Sequence, residues 1–120
     1  MLTPATCRLL ATLLLLGVGV AHSYLGERYI LIRLFRQPLP RIGPDDVFTK
    51  RVLRFAWHLT SVAWWGFGAL LLLAPGRNIG AVIAATFLVT GVVVLLSSRG
   101  RHLAWPLFVA VSALAWAGTR

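Results

Sequence analysis

NIGAVIAATFLVTGVVVLLSS, residues Asn78 to Ser98, contains no Lys, Arg, Asp or Glu. A run of roughly 20 apolar residues, rising about 1.5 Å each as a helix, crosses a hydrocarbon core of about 30 Å. Three more stretches are equally free of charge: Leu9–Gly26, Phe55–Gly76 and His102–Thr119. Each is roughly 18 to 22 residues long, enough for one crossing. The composition agrees: the 120 residues are 58% hydrophobic and 12% charged, with a mean hydropathy of +0.81. A soluble domain of this size carries about twice that charged fraction, and it has too much surface for its volume to hide so much apolar material.

The expected fold is an all-α integral membrane protein, a four-transmembrane-helix up-down bundle in which residues 1–120 form a single domain. The spans are expected at about 6–27, 54–75, 78–98 and 102–119. Between the first two, a basic helix 1–helix 2 hairpin over about residues 28–53 extends past the cytoplasmic membrane face.

The charges report topology. A net charge of +9 and a pI near 11.8 raise the question of nucleic acid. However, the cations lie only at the connections, without the interleaved aromatics of a single-strand binder, so no nucleic-acid partner is expected. Arg28, Arg33, Arg36, Arg41, Lys50, Arg51 and Arg54 cluster between the first two runs, and Arg99 and Arg101 fall on the same side. Only Arg8, Arg77 and Arg120 fall opposite. A bias of about nine to three orients the chain with its basic connections inside and both termini periplasmic, in a bacterial inner (cytoplasmic) membrane. Anionic lipids are the natural partners of those cations. Arg8, the run Leu9–Ala21 and Ala21-His22-Ser23 imitate a cleavable signal. Cleavage would leave seven cations outside, so an uncleaved first span is expected. Cys7 is the only cysteine, which excludes an intrachain disulfide.

Along the chain, Tyr24–Gln37 continues the first helix until Pro38, and Pro38, Pro40, Gly43 and Pro44 make the one real loop. Asp45 and Asp46 suit the N-terminus of the second helix. The tight connections Pro75–Asn78 and Ser97–Arg101 imply that spans two and three, and three and four, are antiparallel neighbours. Small residues at helical spacing permit close packing: Gly80 with Ala84, Ala81 with Ala85, and Gly66 or Gly68. Trp57, Trp105 and Trp116 fit an interfacial aromatic belt. Trp64 and Trp65 lie mid-span, where packing or lipid contact is expected, or an aromatic wall for an apolar ligand such as a quinone.

Helix geometry also places the polar residues. If helices one and two fold back about Pro38–Asp45 with equal rise, facing positions sum to about 81. His22 then lies near His58, and Glu27 near Arg54. Glu27 reads as one half of a structural ion pair with Arg54 that clamps the hairpin, with Arg28 or Arg51 as other partners, or else as a functional carboxylate that is a ligand or proton carrier. His22 and His58 read as an interhelical hydrogen bond, as each bonded to a Ser, Thr or backbone partner with Ser23, Ser61 and Thr60 in local reach, as cofactor ligands, or as a proton or quinone relay. As ligands, His22, Glu27, His58 and His102 form a set for haem or a transition metal.

No phosphate-binding glycine loop, nucleophile elbow or zinc-protease helix is present, and no catalytic residue is assigned. The chain reads as a binding, assembly or accessory subunit of a membrane complex, or a homo-oligomer, with an enzyme open only through the histidine cluster. The alternatives are a membrane redox or metal-binding protein built on the histidines, and an oligomeric small transporter or channel. In size and span number the chain resembles the small multidrug-resistance transporters. That family's essential carboxylate lies within the first span, whereas Glu27 stands at its cytoplasmic end before a long basic hairpin, so the motif does not carry over.

Overall fold

The computed structural model describes residues 1–120 and is helical, without strands. Helix α1 runs Pro4–Leu34, α2 Val47–Leu73, α3 Arg77–Ser97 and α4 Ala104–Ala117. Helices α1, α2 and α3 are long and apolar enough to cross a membrane; their most apolar windows have mean hydropathies of 1.7, 1.3 and 2.6.

The fourth helix is shorter than its apolar run. It has 14 residues, which make about 21 Å of helix. His102 stands outside it, where its Nδ1 accepts the Ala104 N–H at 3.2 Å. Pro106 occupies the first turn, a position that loses no helical hydrogen bond.

Local chemistry sets the other ends. The Thr3 hydroxyl accepts the Thr6 N–H at 3.1 Å, and Pro4 opens α1 with its φ already helical. The expected continuation past the first span is present, but it is not uniform: Gly26–Leu31 is a π-helical turn before Ile32–Leu34 resumes the α form. At the start of α2 the two aspartates divide their work. Asp45 Oδ1 accepts the Val47 N–H at 3.0 Å. Asp46 instead turns back to the Leu39 N–H at 3.0 Å and to Lys50 Nζ at 2.9 Å. With the Thr49 hydroxyl donating to the Pro40 carbonyl at 2.7 Å, these contacts tie the loop to the helix. After α3, Arg99 and Gly100 take positive φ, and the Gly100 N–H returns to the Leu95 carbonyl at 2.8 Å, closing the helix C-terminus.

Two antiparallel pairs, α1–α2 and α3–α4, join through an α1–α4 seam. The short connection from α2 to α3 had implied that these two are close neighbours, but their backbones approach at few points. Small residues explain the choice. Gly80, Ala84 and Gly91 are buried, and the space above Gly80 and Gly91 belongs to α4 and the residues just after it, through Ala115, Trp105 and Val109 and through Thr119. Helix α2 reaches α3 by side-chain tips such as Phe67, whose ring stands edge-on to Phe87 at 5.8 Å. The main core comprises Ala11 and Leu15, Leu71, Ile83, Ala84 and Phe87, with Phe108, Val111 and Ala115. It lies in the half of the bundle nearest the chain termini. Arg8 Nη1 closes that end by donating to the Gly118 carbonyl at 2.8 Å.

Candidate functional site

The other half of the α1–α2 pair is held by polar contacts. Thr12 begins the series in the core half, its hydroxyl donating to the Gly68 carbonyl at 3.0 Å. Toward the loop, Ser61 Oγ donates to the Gly19 carbonyl at 2.8 Å, Ser23 Oγ donates to Ser61 Oγ at 2.9 Å, and His58 Nδ1 meets Ser23 Oγ at 3.0 Å. Beyond them, His58 Nε2 lies 3.2 Å from Glu27 Oε2. Arg54 grips the same carboxylate twice, Nε to Oε2 at 3.2 Å and Nη2 to Oε1 at 3.0 Å. Such a two-pronged guanidinium–carboxylate contact fixes orientation as well as charge. The same guanidinium stacks on Phe35, 5.0 Å from the ring centre.

Two tryptophans of α2 complete the seam. The indole N–H of Trp57 donates to the His22 carbonyl at 3.1 Å, and that of Trp65 donates to the Leu16 carbonyl at 3.3 Å. Each indole occupies the space a side chain would fill on α1: Trp57 lies against Gly26 and Trp65 against Gly19. The His22 carbonyl already accepts the Gly26 N–H. A second donor there loosens the helical ladder, and the π turn starts at that residue. Glu27, the first residue after Gly26, is thereby carried on the widened turn.

The structure arranges the expected site residues as follows. Glu27 and Arg54 meet. His22 and His58 share a depth but not a contact: His22 lies flat on Trp57, ring centres 4.7 Å apart and planes 3° from parallel, and edge-on to Trp64 at 5.0 Å. His102 is exposed beyond the start of α4. The set His22, Glu27, His58 and His102 therefore does not converge, and no three His, Cys, Asp or Glu side chains gather as metal ligands. Counting residues from the loop gives depth along an antiparallel pair but not the face each residue takes. Trp64, read as mid-span packing, packs on Phe108 at 5.2 Å inside the bundle. Trp57, read as an interfacial anchor, is also a donor to the neighbouring helix.

Arg51, Arg54, Phe55, His58, Leu59 and Val62 line an open groove of about 460 Å³ on the outer side of α2. The Glu27 and His58 side chains are 32% and 36% exposed. No known protein family, characterised protein or solved structure matches the chain.

Proposed function

We propose that the chain is a small multi-pass inner-membrane protein that serves as a binding or assembly subunit of a membrane complex. Four crossings, cytoplasmic basic connections held near anionic lipid, and periplasmic termini complete that reading.

One observation carries it: apolar side chains face outward as densely as inward. On α3, Val82, Val89, Val93 and Leu96 form a single outward stripe, each more than half exposed, and only 28% of the most apolar window is buried within the chain. Water is a poor solvent for such a surface; lipid or another apolar helix suits it. Several polar side chains, by contrast, are engaged inside. Thr12, Ser61, Ser112, Trp57 and Trp65 all donate to backbone carbonyls of a neighbouring helix, and no buried side-chain nitrogen or oxygen lacks a partner. The outer surface is then what remains for recognition. A fourth helix of about 21 Å is short for a core of about 30 Å, and a neighbouring subunit or a thinned bilayer would accommodate it.

Photo-crosslinking in native membranes tests the reading. A photoreactive residue at Val89 is expected to give a discrete protein adduct, whereas one at Leu13 on the outward side of α1 gives lipid adducts only. Lipid adducts alone at both positions, and at Val82 and Leu96, would remove the assembly role.

A further inference from the structure

The six side chains that line the open groove, Arg51, Arg54, Phe55, His58, Leu59 and Val62, all belong to α2, and their spacing puts them on one face of that helix. The face carries its arginines toward the α1–α2 connection and apolar side chains beyond them. Phe55, Leu59 and Val62 are each more than half exposed, so no other helix of the chain covers them. Arg54 is held in place by Glu27 and Phe35. Arg51 is not held. The carboxylate contacts of the chain run from Arg54 and His58 to Glu27 and from Lys50 to Asp46, which leaves the Arg51 donors free. From Arg54 to Leu73, the last residue of α2, the helix rises about 28 Å, close to a hydrocarbon core of about 30 Å. With Leu73 at one edge of that core, both arginines stand at the other, the level of the lipid phosphates.

We infer that this groove holds one phospholipid of single negative charge, with its phosphate on Arg51 and Arg54 and an acyl chain along Phe55, Leu59 and Val62. The guanidinium fork of Arg51 matches a phosphate with two parallel N–H donors. Arg54 adds Nη1, since Glu27 takes only its Nε and Nη2. Charge decides the headgroup. Two guanidiniums and one carboxylate leave a single positive charge in excess, which a lone phosphodiester balances. A headgroup ammonium has nothing to meet: the acidic residues of the chain are Glu27, Asp45 and Asp46, and they are engaged by Arg54, by the Val47 N–H and by Lys50. A zwitterionic lipid would therefore bring an uncompensated cation beside Arg51. The apolar stretch selects a lipid over a water-soluble phosphate ester, because it stabilises only a ligand with a chain to bury. General attraction of cations to an anionic surface would use the exposed Arg33, Arg36 and Arg41 as readily; the groove adds a discrete seat. The inference rests on the membrane reading proposed above, and not on the assembly role.

The test is native mass spectrometry of the full chain, purified from membranes in mild detergent, with phosphatidylglycerol or phosphatidylethanolamine added. One phosphatidylglycerol per chain is expected, held about tenfold more tightly than phosphatidylethanolamine. Arg51→Gln removes the free fork without breaking an ion pair of the fold, and it should lower retention to the phosphatidylethanolamine level. Arg36→Gln, which removes the same charge from the hairpin outside the groove, should leave retention unchanged. Excess glycerophosphate should not displace the lipid. Equal retention of the two lipids, equal losses from the two variants, or displacement by glycerophosphate would each overturn the inference. Should Arg51→Gln fail to fold, the unaltered chain and Arg36→Gln decide the matter between them. A chain recovered from membranes that retains no phosphatidylglycerol sinks the inference and leaves the membrane reading standing. A chain absent from the membrane fraction sinks both.

Discussion

The half of the bundle near the chain termini and the half near the α1–α2 connection are held together by different physics. In the first, all four helices meet around Leu15, Leu71, Phe87 and Val111, and contact is mainly by shape, with Thr12–Gly68 and Ser112–Ala84 as the directional exceptions. In the second, two helices meet through Ser61–Gly19, Ser23–Ser61, His58–Ser23, Trp57–His22 and Arg54–Glu27, and contact is by direction. Packing forces are non-directional and tolerate a small slide of one helix along another. A slide by one residue in the polar half would break every bond at once. The polar half therefore sets the register of α1 on α2, while the apolar half supplies the packing contacts.

Substitutions that act on only one half sharpen this contrast. The largest effect is expected in the core, where Phe87→Ala removes a ring packed on Phe67 and Phe108. It should cost about 3 kcal/mol, read as a lower midpoint in a mixed-detergent unfolding titration, with the Trp57 and Trp65 environments unchanged until the transition. Gly26→Ala comes next. A Cβ there collides with the Trp57 ring, and overpacking of this kind costs about 1 to 3 kcal/mol. Its control has the opposite sign. Gly17 has open space above it, so Gly17→Ala should stabilise the helix by about 0.5 to 1 kcal/mol in the same titration. A smaller loss is expected for Thr12→Ala, which removes one interhelical bond worth about 0.6 to 1.7 kcal/mol between membrane helices.

The smallest effect concerns the loop. Lys50, with help from the Leu39 N–H, holds the Asp46 carboxyl below its ordinary range. A carboxyl whose pKa is lowered by folding stabilises the fold above its unfolded value, and it loses that contribution as pH falls through the folded one. Acidification through that window should speed amide exchange at Leu39, while the Ser61 region stays unaffected.

Much of this was legible in the sequence, for identifiable reasons. Charge-free runs show where helices can lie apolar on all sides, and equal rise along two antiparallel helices brought Glu27 to Arg54. The face presented at each depth was not legible. His22 and His58 share a level, yet a stacked indole holds His22 aside. The repeated pairing of a glycine on α1 with a tryptophan on α2, Gly19 with Trp65 and Gly26 with Trp57, was present in the spacing. It acquires meaning only when a close approach makes each glycine a seat for an indole. The π turn depends on that same contact. Connection length also misled: a three-residue link after Leu73 limits how far apart two helix ends can be, but the small residues of α3 decided that α4 would be its closest neighbour.

The register of α1 on α2 is tested most directly by cysteine cross-linking in native membranes, with Cys7→Ser as background. The Ser23 and Ser61 oxygens are 2.9 Å apart, so Ser23→Cys with Ser61→Cys should form a disulfide rapidly under mild oxidation. Tyr24→Cys with Ser61→Cys, which moves one sulfur to an exposed face of α1, should form little or none. A rapid cross-link from the Tyr24 pair and silence from the Ser23 pair would contradict the polar register and everything built on it.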